Sequence, residues 1–195
     1  MHEDWYRAPT LTGSIVRLEP LSLDHAEGLA RAADDPEIFE HVRGWDVMTP
    51  DVAAERIART RALPHVVPWA QIDLRTGEVA GMTAYHDLDP AWRTVAIGHT
   101  WIARRFWRTG LNTEAKLLLL QRAFDVLGCV RVAWHTDVRN SRSQTAIARL
   151  GAVREGVLRK HKPRDDGSWR DTVVYSMTDD EWPAARERLA GMLRR

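Results

Sequence analysis

The residues best suited to chemistry lie between Arg104 and Ala115, where the chain reads RRFWRTGLNTEA. A run that predicts a strand precedes them, and a run that predicts a helix follows. The first backbone N–H groups of a helix have no partners within it and carry about half a positive charge. Arginines add formal charge at 104, 105 and 108, and Gly110 lets the backbone approach a ligand closely. This junction therefore predicts a site for an anion, above all phosphate.

A solvated basic turn before an amphipathic helix is a simpler interpretation of the same residues, and their composition alone favours it. The junction has neither the G-x-x-x-x-G-K-[ST] pattern of a Walker A loop nor the G-x-G-x-x-G dinucleotide fingerprint. The missing glycines argue against a protein that binds nucleotide phosphates through this junction.

A second strand–helix junction carries Asn140 and Ser143. Ser143 falls in the first turn of a predicted helix, where the helix dipole stabilises negative charge. Ser141 and Gln144 have capping-box spacing at the start of that helix. An ordinary turn asparagine and an ordinary helix-end serine are also consistent with the pattern.

Histidines occur on two predicted strands. His99 and Trp101 share one face of the fourth strand, and His135 and Asp137 alternate on the fifth. No set of His, Asp and Glu has metal-ligand spacing such as H-E-x-x-H, so the sequence predicts no metal site. The single cysteine, Cys129, lies in an apolar run and is expected to be a buried hydrophobic residue.

Hydrophobic patterns predict the elements that must position these residues. Ser14 to Glu19 reads as a first strand, and helices follow Ser22 and Thr49. Three strands joined by short turns then predict an antiparallel meander. The second half alternates between a helix up to Leu127, a strand VRVAWHT, a helix ended by Gly151, a hairpin around Asp166 and Gly167, and a helix after Thr178. The predicted fold class is mixed α/β, in one domain over residues 1–195.

Composition limits the classes of partner. The 195 residues are 44% hydrophobic and 28% charged, with a formal net charge of +1. This balance argues against nucleic acid or an anionic membrane as the main partner. The N-terminal residues lack a signal pattern, and no stretch reaches the ~18 apolar residues of a membrane span, so a cytoplasmic protein is expected. The residues do not determine the oligomeric state, and a homodimer is compatible with them.

In combination, these motifs resemble the GNAT superfamily of acyl-CoA-dependent N-acetyltransferases, and its RimJ/RimL-like branch most of all. The pyrophosphate loop of that family reads [Q/R]-x-x-G-x-[G/A], and Arg105 to Gly110 occupies it here. The branch pattern N-x-x-S, LGA, EG and DDEW is matched by Asn140 with Ser143, by residues 150–152, by residues 155–156 and by residues 179–182. The resemblance covers nearly the whole chain and is strongest from Gly98 to Trp182. One residue departs from the pattern, because Arg108 stands where the family has its first glycine.

The resemblance implies a GNAT-like fold: a mostly antiparallel, twisted central sheet of about seven strands flanked by helices. It also implies a binding site for acetyl-CoA. The end of the fourth strand would run beside the pantetheine arm and pair with its amides, with a backbone N–H near Ile102 facing the thioester oxygen. Asn140 would contact the pantetheine or position its loop. The residues implied at the cofactor are Trp101, Ile102, Ala103, Arg105, Trp107, Arg108, Thr109, Gly110, Leu111, Asn112 and Asn140.

The resemblance further implies catalytic and acceptor residues. Ser143 is expected near the departing thiolate, as a general acid or hydrogen-bond donor. His99 is the preferred base because it precedes the point where the strands are expected to part, and Glu155 acting through water is the alternative. The acceptor pocket is expected from aromatic and histidine side chains, chiefly Phe39, His41, Trp45 and Tyr85.

These expectations define an acetyl-CoA-dependent N-acetyltransferase without a metal. Its acceptor is a primary amine, either the α-amine of a protein N-terminus or the amine of a small molecule. A non-catalytic acyl-CoA-binding or interaction module of the same fold is the alternative, and Arg108 is the residue that favours it.

Overall fold

The computed structural model describes residues 3–42, 48–164 and 166–194. Within them the strands are β1 (Leu11–Thr12), β2 (Val16–Pro20), β3 (Val67–Asp73), β4 (Val79–Asp89), β5 (Thr94–Ile102), β6 (Arg131–Asp137), β7 (Val153–Pro163) and β8 (Trp169–Thr178). The helices are α1 (Ala26–Ala32), α2 (Pro50–Arg61), α3 (Leu111–Gln121), α4 (Ser141–Leu150) and α5 (Trp182–Leu193). A π turn over Arg122–Val126 continues α3.

The strands form one eight-stranded sheet in the order β1-β2-β3-β4-β5-β6-β8-β7. Every neighbouring pair is antiparallel except β5 and β6, which are parallel. Parallel neighbours require a crossover connection, and α3 supplies it. The predicted mixed fold and the meander of β3, β4 and β5 are confirmed. The two-residue edge strand β1 was not predicted.

Local signals correctly predicted several helix ends. The hydroxyl oxygen of Thr49 accepts a hydrogen bond from the Val52 N–H at 3.3 Å, so Thr49 caps α2 as expected. Gly151 adopts a φ of +98° and ends α4, also as expected. These signals involve neighbouring residues only, which is why the sequence reveals them.

The position of α3 depends on Glu114 in its first turn. The Glu114 carboxylate accepts hydrogen bonds from the backbone N–H groups of Ser14, Ile15 and Val16 at 2.6–2.9 Å. Burial alone would raise the pKa of this carboxyl, but the hydrogen bonds from Ser14 and its neighbours outweigh burial and lower it. Glu114 is therefore an ionised clamp that fixes the start of α3 against the β1–β2 turn. No described helix has the length and apolar character needed to cross a membrane.

Candidate active site

The parallel strands β5 and β6 separate partway along their length. They are paired only from Thr94–Arg131 to Ala96–Ala133, although β5 runs on to Ile102 and β6 to Asp137. We call the space beyond the last pair the β5–β6 opening. His99 lies beyond Ala96, so the expectation that it precedes the separation is wrong, and it belongs to the opening itself.

The backbone of Ile102 faces this opening. The Ala103 N–H donates to the Ala80 carbonyl of β4 at 2.8 Å. Adjacent residues in a strand present their backbone groups to opposite edges, so the Ile102 groups point away from β4. The Ile102 carbonyl accepts from the Trp107 indole at 3.0 Å, and the Ile102 N–H points to the same edge, toward the opening. Of the three residues expected beside the pantetheine, Ile102 suits that role, whereas Ala103 and Trp101 turn their backbone groups toward β4.

A bulge distorts β5 at the opening. His99 and Thr100 lie opposite the single residue Thr83, and His99 has a φ of +49°. Such strained backbone clusters at functional sites, because only the surrounding structure can maintain it. Partial desolvation lowers the pKa of His99, and the charge of Lys162 contributes to the same effect.

Lys116 supports the bulge from α3, and no sequence pattern indicates this role. Its ammonium group is buried and donates hydrogen bonds to Thr83 Oγ1 at 2.9 Å and to Thr100 Oγ1 at 2.7 Å. Burial lowers the pKa of Lys116 from 10.5 to about 7. The lysine follows Glu114 on a helix whose apolar pattern continues on both sides, so periodicity could not separate it from surface lysines.

The start of α3 is an uncapped helix end. Gly110 is its N-cap with a φ of +86°, and no described side chain caps the first-turn N–H groups. Asn112 lies within the first turn, so it is not the N-cap of α3. Leu111 is fully buried, so only its backbone can reach a ligand. The positive φ favours glycine here even without a ligand, and a Cβ would also make a tight contact, 3.2 Å from Ile15 Cδ1.

The three arginines of the junction do not converge on one anion, contrary to expectation. Arg104 lies 2.6 Å from the Asp35 carboxylate, and Arg105 lies 2.7 Å from that of Asp34. Arg108 is exposed, has a φ of +62° and forms no ion pair with any described residue. Arg108 is therefore the junction arginine whose charge is not already balanced by a carboxylate.

The remaining loop side chains brace the junction. The Thr109 hydroxyl donates to the Phe106 carbonyl at 2.8 Å. The Arg142 guanidinium of α4 lies 4.1 Å from the centre of the Trp107 ring. It also donates to Glu37 Oε1 at 2.9 Å. The Trp107–Arg142 contact joins the loop after β5 to the helix after β6, so it spans the β5–β6 opening at that end.

Asn140 and Ser143 define the start of α4. The Asn140 Oδ1 accepts from the Ser143 N–H at 2.8 Å, so Asn140 is the N-cap. The expected capping box of Ser141 and Gln144 is wrong, because the Gln144 amide donates to the Val138 carbonyl instead. Ser143 is half-buried, and its hydroxyl has no hydrogen-bond partner among the described residues. That hydroxyl is therefore available to a ligand.

Two of the residues expected in the acceptor pocket belong to the core. Tyr85 is fully buried, donates its hydroxyl proton to the Leu119 carbonyl and packs edge-on against Trp69. Phe39 is also buried, with its ring edge-on to Trp101 at 5.2 Å between centroids. His41 is half-buried near Glu40. Trp45 lies outside the described residues.

Glu155 and Cys129 are both poorly suited to take part in the reaction. Glu155 pairs with Arg131 through both carboxylate oxygens, and this pairing lowers the pKa of Glu155 to about 2. An engaged, weakly basic carboxylate is unsuited to act as the alternative base. Burial raises the pKa of Cys129 to about 12, so that thiol is unreactive, as the sequence predicted.

Four histidines gather beside the opening, and we call them the histidine cluster: His86 on β4, His99 on β5, His135 on β6 and His161 on β7. The ring of His86 lies 5.5 Å from that of His99 and 5.8 Å from that of His135, and the rings of His135 and His161 are 6.5 Å apart. Burial lowers the pKa of His86 to about 4, so it is neutral near pH 7. Because the cluster draws on four strands, no sequence spacing could reveal it.

Comparison with known proteins identifies the family. Residues 16–153 match the acetyltransferase (GNAT) domain. The chain belongs to the GNAT acetyltransferase family. Its structure resembles that of a "putative acetyltransferase" from T. thermophilus, with 39% identity and a TM-score of 0.89 over 97% of this chain and 99% of the other.

Other GNAT relatives are more distant or match a shorter region. "Putative ribosomal N-acetyltransferase YdaF" of Bacillus subtilis (strain 168) is 36% identical over 56% of this chain and 58% of its own length. The chain thus spans less than two thirds of that curated relative. Mycobacterium smegmatis RimJ, solved in complex with CoA-disulfide, is 23% identical to this chain. Its structure matches with a TM-score of 0.79 over 97% of this chain and 96% of its own, and this likeness supports the fold.

Proposed function

We propose that this GNAT protein transfers an acetyl group from acetyl-CoA to a primary amine. The observation that carries the proposal is the β5–β6 opening, which leads to the uncapped start of α3. The opening offers the Ile102 N–H to a linear ligand, and the helix end offers positive charge to its phosphates. These features fit coenzyme A, which combines a thiol arm, amide groups and phosphates.

Acetyl-CoA supplies a thioester whose carbonyl carbon forms the new C–N bond with the amine while the C–S bond breaks. In our proposal, the Ile102 N–H stabilises negative charge on the thioester oxygen. The Ser143 hydroxyl donates a hydrogen bond or proton to the departing thiolate, aided by the positive end of α4. His99 accepts the proton that the amine loses. Arg108 and the first-turn N–H groups of α3 hold the phosphates.

The acceptor class follows from different observations. The name of YdaF refers to ribosomal N-acetylation, and RimJ is a structural neighbour, so we infer the α-amine of a protein N-terminus. A small-molecule amine is the second candidate acceptor. Because Tyr85 and Phe39 are buried, we propose that the acceptor approaches beside the histidine cluster, which contains the proposed base His99.

A thiol-release assay tests the proposal. Full-length protein is incubated with acetyl-CoA and a panel of N-terminal peptides, amino acids and other small amines, and free coenzyme A thiol is followed with a colorimetric reagent. We expect amine-dependent release, fastest with a subset of peptides. If every amine of the panel fails to cause release, although coenzyme A binds, the result would instead support the non-catalytic acyl-CoA-binding module.

One observation favours this non-catalytic module as the second candidate function. Arg108 holds a left-handed backbone conformation at a loop position where the family has glycine, and such strain in a non-glycine residue is unfavourable. A loop that had lost its catalytic constraint could accumulate such a residue.

A further inference from the structure

Two members of the histidine cluster and the adjacent Asp87 have the chemistry and proximity of metal ligands. His86, Asp87 and His135 each offer one ligand atom, and these atoms all lie within 4.8 Å of one another. The His86 Nδ1 and the Asp87 Oδ2 are 2.9 Å apart, and the His135 Nδ1 lies 3.9 Å from the same oxygen. Ligands on one tetrahedral zinc ion, with bonds of about 2.0–2.1 Å, lie about 3.3 Å apart. Small side-chain shifts would therefore bring these atoms to coordination distance.

Backbone irregularities occur where three of the strands supply the histidine cluster. β4 has a register shift between His86 and Asp89, and Asp87 within it has a φ of +51°. β7 has another between Leu158 and Lys162, with Lys160 at a φ of +48° and His161 next to it. Together with the bulge at His99, three strands depart from regular geometry where they supply the cluster. Such outliers point to a functional constraint, because strained backbone persists only where the surrounding structure holds it in place.

A glycine provides space for the first ligand. A Cβ at Gly98 would lie 2.6 Å from His86 Nε2, so any larger residue there would displace the imidazole. With Nε2 against Gly98, the Nδ1 of His86 is the nitrogen that faces Asp87. The sheet thus holds His86 with one ring nitrogen turned toward the other two ligands.

We propose that His86, Asp87 and His135 form a binding site for a divalent transition-metal ion of the zinc type. Two imidazoles and one carboxylate form a donor set typical of Zn²⁺ sites that keep an open position. Imidazole suits Zn²⁺, Co²⁺ and Ni²⁺, whereas Mg²⁺ and Ca²⁺ prefer oxygen ligands.

The ion has a route to the site and an effect on the fold. The Asp87 side chain is 69% exposed, and His161 lines a surface pocket next to the cluster. An ion bound by all three ligands would link β4 to β6 across β5. Its occupancy would therefore stabilise the strands that frame the β5–β6 opening, independently of any acetyl-CoA.

Metal titration of the tag-free, chelator-treated full-length protein tests this proposal. Co²⁺ serves as the optical probe and Zn²⁺ as its competitor, without acetyl-CoA or amine, so the result does not depend on acetyl transfer. We expect one Co²⁺ per chain, with visible absorption bands that Zn²⁺ abolishes and millimolar Mg²⁺ does not. We also expect a higher Tm with Zn²⁺.

Variants locate the ion. His135→Ala and the nearly isosteric Asp87→Asn should each weaken Co²⁺ binding at least tenfold. His65→Ala, which removes an exposed histidine outside the cluster, should not weaken it. Asp87→Asn keeps the test valid if the alanine variant folds poorly. No visible bands for the wild type, displacement by Mg²⁺, or unchanged binding in both ligand variants would overturn the proposal.

Discussion

Replacing Arg108 with glycine should change ligand affinity and fold stability in opposite directions. Arg108 has a φ of +62°. This conformation is unfavourable for an L residue by about 1–2 kcal/mol, and glycine adopts it freely. Because the free protein already holds it, relief of the strain affects folding and not binding. Arg108→Gly should therefore stabilise the fold by up to ~1 kcal/mol, after the greater unfolded-state entropy of glycine is subtracted.

The affinity for coenzyme A should fall in the same variant. Arg108 has no carboxylate partner among the described residues, so its guanidinium is available to a phosphate. A hydrogen bond to a charged group contributes about 1.5–3 kcal/mol. Its loss should weaken binding by about 10- to 150-fold.

Calorimetric titration with coenzyme A at low and high salt, together with thermal denaturation, measures both effects. Arg108→Ala is the matched control, because it removes the guanidinium but keeps a Cβ and the strain. It should lose as much affinity as Arg108→Gly without gaining stability. Added salt should weaken the wild type more than either variant. If Arg108→Gly binds coenzyme A as tightly as the wild type or more tightly at every salt concentration, the guanidinium does not contact phosphate and the loop assignment is wrong.

Three further substitutions test other parts of the site. Ser143→Ala should lower kcat by ~100-fold or more with little change in the KM for acetyl-CoA, because the thiolate charge develops only in the transition state. The control Ser141→Ala, in the same helical turn, should resemble the wild type. If the kcat of Ser143→Ala lies within about twofold of the wild-type value, Ser143 has only a structural role at the start of α4. Burial lowers the pKa of Lys116 from 10.5 to about 7, so the unfolded chain binds more protons between these values and stability rises with pH there. Between pH 7 and 9 the wild type should gain about 2 kcal/mol of stability relative to Lys116→Met in chemical denaturation, and parallel pH profiles would contradict the lowered pKa of Lys116. Tyr85→Phe should lose about 1 kcal/mol of stability and leave the KM for the acceptor unchanged. A raised KM for the acceptor would show that Tyr85 lines the acceptor pocket.

The sequence predicts features that depend on neighbouring residues. Thr49 before Pro50 and Gly151 after an amphipathic run carry complete local signals, and both helix ends are confirmed. Asn140 and Ser141 are adjacent and are both good N-cap residues, so the pattern alone could not choose between them. The structure selects Asn140, because its side chain meets the Ser143 N–H.

Contacts between distant residues could not be predicted in this way. Arg105 pairs with Asp34, which lies 71 positions earlier in the chain. Whether a carboxylate balances the charge of Arg105 therefore depends on the tertiary structure. Every residue of β3 is buried, and most of the neighbouring β4 is buried too. A strand covered on both faces carries no alternation to show which aromatic residue faces a pocket, which is why Tyr85 was misplaced. The bulge at His99 shifts the register of β5, and no local signal predicts it.

In our proposal, an acetyl group passes from acetyl-CoA to an amine at the β5–β6 opening. Thiol release alone would also result from hydrolysis of the thioester. The most direct measurement therefore quantifies both products of one reaction, with free coenzyme A measured colorimetrically and the acetylated peptide measured by mass spectrometry. We predict equal amounts of the two, with the acetyl group on the α-amine. Free thiol without an acetylated amine, or no turnover by a protein that binds coenzyme A, would contradict the claim.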